Sequence, residues 1–204
     1  SKEELSTAEN ILRTLRWNKE FTPEEARILD LMLVLHADHG GGNNSTFSTR
    51  VLTSSATDTY SAISAGIGSL KWPRHGGANA AVGYMIDCIK EGVHNRADET
   101  ELAAFIERIL DKQEGDLSGL VYGMGHAVYT LSDPRAVILK KYARGLSAHT
   151  EYEREFELIE RVEKLTPTIF QRRKNTTAPL CANIDLYSGL VYTMLDIPPE
   201  LFTP

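Results

Sequence analysis

Four short stretches hold most of the side chains able to do chemistry: "HADHGGGNN" (36–44), "WPRHGGAN" (72–79), "GMGHAVYTLSDPR" (123–135) and "NIDLYSGL" (183–190). They bring four of the six histidines, His36, His39, His75 and His126, together with Asn43, Arg135 and Asp185. All fall where glycine or proline breaks a helical pattern, the kind of segment in which functional groups tend to sit. Three chemistries compete for them. Zinc would take two histidines from one helix, but the metalloprotease spacing puts them four apart with a glutamate between. "HADH" has three and an aspartate, and a third ligand would have to be His75 or His126. The plainer account of that pair is a polar helix end with one imidazole bonded to backbone. A phosphate loop precedes a helix, where free N–H groups point outward, whereas "GGGNN" follows one. "GMGH" could offer N–H groups to a nucleotide, or be a simple tight turn. Ser188 lacks the G-x-S-x-G surroundings of an exposed nucleophile.

The elements that must position these groups read as helical nearly throughout. Ile11, Leu12 and Leu15 recur at helical spacing in 8–17. "FTPEEARILDLMLVLHAD" predicts a helix opened by Thr22, Pro23 and Glu25 as a capping box. It is apolar on most sides from Ile28 to Leu35, and so expected to be buried, and it ends at Gly40–Gly42. Further helices are expected over 58–72, with Asp58 as cap and small residues for close packing, over 78–93, and over 98–113 with Asp98 and Glu101 in capping-box positions. Residues 115–135 read as loop with a short strand or hairpin. Pro134 opens a helix to about 148, 149–165 is an amphipathic helix, 171–183 a basic loop, and 184–197 a last apolar helix stopped by Pro198 and Pro199. The fold class is all-α.

Composition bounds the functions. The chain has 204 residues, 42% hydrophobic and 25% charged, with net charge −6. An acidic chain is a poor general nucleic-acid binder, since that work needs a basic surface. No apolar run approaches the roughly 20 residues of a membrane span. Cys88 and Cys181 stand in no metal or disulfide spacing and read as thiols of a reducing compartment, so the cytoplasm is expected. The chain starts at serine and stops at "LFTP", which reads as a piece of a longer protein.

The four stretches, in this order and at these intervals, resemble the citrate synthase family, whose members are about twice as long. The resemblance implies part of a large helical domain over 1–76, a small helical domain over 77–190 carrying a coenzyme A site, and a return towards the large domain over 191–204. It implies condensation of oxaloacetate with acetyl-CoA, as cosubstrate, to citrate and CoA, in a homodimer with no metal and no prosthetic group. It also implies closure of the small domain over the large one. By the same resemblance Asp185 removes a proton from the thioester methyl, His75 stabilises the forming enol oxygen and His126 polarises the oxaloacetate carbonyl. His39, Asn43 and Arg135 hold the dicarboxylate. Gly123, Met124, Gly125 and Ala127 line the CoA site, and Arg172, Arg173 and Lys174 face its phosphates unless they are only a solvated charge run. His36 supports His39; His94 and His149 match no motif and should be exposed. A 2-methylcitrate synthase using propionyl-CoA, and a non-catalytic CoA- or partner-binding domain, are the alternatives. The piece alone is expected to lack synthase turnover.

Overall fold

The computed structural model describes residues 1–37, 42–71, 76–125, 129 and 131–202. His39, His75, His126 and Ala127, named above, lie outside the described residues, as do Gly40 and Gly41. Among the described residues the chain is all-α, with helices and no strand. It divides into two compact units, Ser1–Ala78 and Asn79–Phe202.

The first unit is two helical hairpins. Helix α1 (Thr7–Leu15) packs on α2 (Pro23–Ala37), and an Arg16–Glu25 ion pair of 2.6 Å ties their ends. The expected Thr22 capping box is present: Glu25 N–H donates to Thr22 Oγ1 (3.2 Å) and Thr22 N–H to Glu25 Oε2 (2.6 Å). Helix α2 is less buried than its composition suggests. Ala26, Ile28, Leu29 and Met32 are covered, whereas Val34 is 64% exposed, because a single partner helix shields one stripe.

Helix α3 (Asn44–Ser54) was not expected; its hydroxyl and β-branched residues are weak helix formers. It is held by packing against α4 (Thr59–Leu70), which starts at the expected Asp58 cap (Asp58 Oδ1 to Ser61 N–H, 3.0 Å). The close approach comes from Gly66, where a Cβ would stand 2.5 Å from Thr49 Oγ1. The small residues of α4 thus serve the tight packing their composition implies.

The second unit holds α5 (Ala78–Gly92), α6 (Glu99–Leu110), α7 (Pro134–Ser147), α8 (Glu153–Lys174) and α9 (Asp185–Met194), followed by a 3₁₀ turn at Pro199–Leu201. Its core is Ile86, Ile89, Leu102, Phe105, Ile106, Leu139, Leu158, Ile159, Val162 and Leu186, all at most 2% exposed. Gly92 packs against the Phe105 ring and Gly189 against the Asn79 carbonyl, so small residues set how closely α5 meets α6 and α9.

Three local expectations are corrected here. Asp98 caps α6 through Thr100 N–H (2.8 Å), but Glu101 completes no capping box. Its carboxylate takes the N–H groups of His94 and Asn95 instead (2.8 and 2.9 Å), closing the preceding turn. The basic run is not a loop: α8 passes through Pro167 and carries Arg172, Arg173 and Lys174 in its last turn, where cations complement the helix dipole, before Asn175 ends it at φ +46°. Among the described residues of 115–135 there is no hairpin; Met124 instead forms an antiparallel bridge to Ala182.

Candidate active site

The chemistry-bearing residues that the structure describes in the second unit gather at the head of α9. The glycine turn 121–125 is one half of the assembly. Met124 N–H donates to Val121 O (3.2 Å), and Gly123 and Gly125 take φ values of +78° and +97°, a region L side chains rarely adopt. At Gly123 there is a second reason for glycine. A Cβ would sit 2.7 Å from Leu186 Cα and 2.8 Å from Leu186 Cβ, so the turn lies directly on the first turn of α9.

The other half is the strand-like approach to α9. Gly125 N–H donates to Cys181 O (2.7 Å), and Asn183 N–H donates to Gly123 O (2.9 Å). The Asn183 side chain works in both directions: Nδ2 donates to Gly125 O (2.8 Å), and Oδ1 accepts from Asp185 N–H (3.0 Å). Asp185 therefore opens α9 half-buried, with its backbone fixed to the residue that grips the glycine turn.

Arg135 is the cation of this site. Asp133, 1% exposed, caps α7 through Arg135 N–H (3.0 Å) and also takes the guanidinium side-on, Nε to Oδ1 at 3.0 Å and Nη2 to Oδ2 at 2.8 Å. The guanidinium carbon lies 5.9 Å from the Tyr129 ring centre. The hydrogen bond to Asp133 raises the Arg135 pKa, and the Asp185 charge adds to the shift, which places Arg135 and Asp185 within each other's field. The Cys181 thiol donates to Tyr129 O (3.4 Å) and is pushed up chiefly by burial. Two turns along α9 from Asp185, Tyr192 is pushed up to about 12, first by burial and then by the Asp185 carboxylate.

Beneath the site a charged network joins three helices. The fully buried Tyr187 hydroxyl donates to Glu163 of α8, which pairs with Lys140 of α7 (2.7 Å). Lys140 also meets Glu160 (3.2 Å), itself paired with Arg144. Burial works against the Lys140 charge, but the bond to Glu163 and its field raise the pKa. Burial, and then the bond to Glu163, also push Tyr187 up. The network ties α9 to α7 and α8 through Tyr187, the residue after the one that meets the glycine turn.

Other expected site residues stand elsewhere. Asn43 belongs to the first unit and is the N-cap of α3, its Oδ1 accepting from Thr46 N–H and Ser45 Oγ, both at 2.8 Å. Arg172 pairs with Glu107, and Arg173 with Asp111, both on or just past α6. The ring Nδ1 of His36 lies 2.8 Å from Met32 O, the backbone satisfaction expected of a histidine at a helix end. His94 and His149 are exposed, as expected. The sequence pattern assigns no role to Asp133, Asn183, Tyr129 or Tyr192, although all but Tyr192 lie within the four motif stretches.

The chain matches, over residues 1–204, the family model described as citrate synthase, C-terminal domain. It is 40% identical over 201 residues to a citrate synthase of Deinococcus radiodurans, covering 98% of this chain and 48% of that protein. The citrate synthase of Pyrobaculum aerophilum superposes with a TM-score of 0.76 at 32% identity, covering 100% of this chain and 46% of that one. That of Thermoplasma acidophilum, solved as a ternary complex with carboxymethyl coenzyme A and oxaloacetate, superposes with a TM-score of 0.78 at 29% identity, covering 99% and 49%. The chain spans about half the length of the curated relatives it matches.

Proposed function

We propose, for a chain that belongs to the citrate synthase family, that the whole protein is an acyltransferase condensing oxaloacetate with acetyl-CoA to citrate and free CoA. The observation that supports this reading is the joining of the Gly123–Gly125 turn to the head of α9, where Asp185 stands. The reaction needs both a carboxylate base and a guanidinium, since a weak carbon acid is deprotonated next to a dianion that must be held.

Asp185 takes a proton from the acetyl methyl group. His75 donates to the thioester oxygen as its negative charge grows, and His126 donates to the oxaloacetate carbonyl oxygen while the enol carbon bonds to the carbonyl carbon. Both act as donors aimed at charge that develops in the transition state. One water then releases free CoA. Arg135, His39 and Asn43 hold the carboxylates of oxaloacetate. Asp133 holds the Nε–Nη2 edge of Arg135 and so fixes the plane of the guanidinium. Gly123, Met124, Gly125 and Ala127 line the CoA site, where the left-handed glycines turn the backbone. Arg172, Arg173 and Lys174 offer phosphate contacts, for which Arg172 and Arg173 would exchange their pairing with Glu107 and Asp111.

Residues 77–190 form the small domain of this reading, and the unit boundary between Ala78 and Asn79 supports where it starts. The protein works as a homodimer. The α3–α4 hairpin exposes Phe47 (63%), Tyr60 (87%), Ile63 (51%) and Ile67 (63%), apolar surface of the kind a second copy covers. Both cysteines are thiols, as in the cytoplasm, its proposed compartment. The test is product analysis with the full-length protein. Acetyl-CoA and oxaloacetate should yield equal amounts of citrate and CoA; a protein that consumes neither would refute the proposal.

A further inference from the structure

Within the second unit, the described residues with chemistry sit on two segments distant in sequence, and one side chain touches both. Three of the bonds that Asn183 makes bear on this junction. Its N–H donates to Gly123 O (2.9 Å), its Nδ2 to Gly125 O (2.8 Å), and its Oδ1 accepts from Asp185 N–H (3.0 Å). The Nδ2–Gly125 bond spans 58 residues of sequence. Only an amide can do this. A hydroxyl is too short to reach both partners, and a carboxylate has no proton to give the Gly125 carbonyl. Backbone bonds, Gly125 N–H to Cys181 O and Asn183 N–H to Gly123 O, join the turn to the approach, and the Asn183 side chain carries that link on to Asp185.

We propose that Asn183 is a positioning residue of the active site: it holds Asp185 in register with the turn whose next residue in sequence is His126. The proposal rests on the reading of Asp185 as the base. Two independent features agree with a fixed register. Gly123 meets Leu186 too closely for any side chain, and the Tyr187–Glu163–Lys140 network ties the next residue of α9 to α8 and α7. With both constraints in place, the remaining freedom of α9 relative to the turn is a slide or tilt at its first residues, and Asn183 opposes that motion.

Asn183→Ser in the full-length protein is the discriminating variant. A serine hydroxyl accepts a nearby backbone N–H as an asparagine amide does, so a residue that served only to accept from Asp185 N–H would be replaced without loss. A positioning residue would not be, because serine leaves Gly125 O without its donor. The expected result is a fall in kcat of about 10–100-fold, the scale of a misplacement near 1 Å, with KM for oxaloacetate changed by no more than about threefold. Amide exchange at 121–125 should quicken while the melting temperature stays near that of the parent. Asn183→Asp, which keeps the acceptor for Asp185 N–H and loses the donor, should show the same loss of kcat and stands in if the serine variant does not fold. A kcat within about twofold of wild type in either folded variant would overturn the inference. Asp185→Ala is measured alongside. If that variant keeps full activity, the base assignment has failed; if it is inactive while Asn183→Ser is unimpaired, the positioning role alone has failed.

Discussion

Replacing Gly123 by alanine tests the contact on which the site's geometry depends. The substitution has two effects that the structure separates. Alanine at φ +78° enters the left-handed region, at about 1–2 kcal/mol for an L residue. Its Cβ would also stand 2.7–2.9 Å from Cα, Cβ and Cδ1 of Leu186, a residue with no exposed surface, so the turn or α9 must move. Overpacking of that kind costs about 1–3 kcal/mol more. Gly115 isolates the first effect: its φ is +70° and a Cβ there meets nothing within 4 Å. Gly83, exposed within α5 with open space around it, supplies the opposite sign, since alanine in a helix interior is worth about 0.5–1 kcal/mol over glycine. Thermal melts of the three variants by far-UV circular dichroism should rank Gly83→Ala above the parent and Gly115→Ala slightly below it. Gly123→Ala should melt lowest, about 2–12 °C below Gly115→Ala if each kcal/mol moves the midpoint 2–4 °C. Coincident melting of Gly123→Ala and Gly115→Ala would refute the close approach of turn and helix.

Asp133→Ala leaves the Arg135 guanidinium, whose side chain is 13% exposed, without its bidentate partner, and should destabilise by about 3–5 kcal/mol in urea titration. Glu25, lowered first by its bond to Arg16, contributes stability that is present above its unfolded pKa near 4.5 and is lost as pH falls through the lower folded value. Glu25→Gln should therefore flatten the stability–pH curve below about pH 4.5. Tyr192 runs the other way. Its folded pKa near 12 exceeds the usual 10, so its contribution is intact below pH 10 and disappears as pH rises through 12. Of the eight tyrosines, Tyr192→Phe should remove an ultraviolet titration step near pH 12.

What the sequence disclosed and what it hid divide along the range of the interaction. The Thr22–Glu25 box and the Asp58 cap depend on residues within one turn, and both stand as the pattern predicts. Helix α3 escaped because its reason lies outside it: Asn43, read as a substrate ligand, caps a weak helix that α4 holds through Gly66 and Thr49. Glu101 had two sets of N–H groups within reach, and the turn at 94–95 won over the cap at Asp98. The run 171–174 looked like a loop from its charge, yet Arg172 and Arg173 find acidic partners about 65 residues away, near the end of α6, and the helix continues to meet them. In the site, the motif residues were legible by type and order. The Asp133–Arg135 fork was within reach of the "SDPR" spacing, while the Asn183–Gly125 bond depends on a turn and a helix meeting far apart in sequence, which no local pattern records.

In the proposed reaction Asp185 removes the proton that begins the condensation. The direct measurement is the rate of CoA release from acetyl-CoA and oxaloacetate by the full-length protein and by its Asp185→Asn variant, with folding checked by circular dichroism. Loss of a general base predicts a kcat lower by about 10²–10⁴-fold in a folded variant. A folded Asp185→Asn protein that releases CoA at the wild-type rate would contradict it.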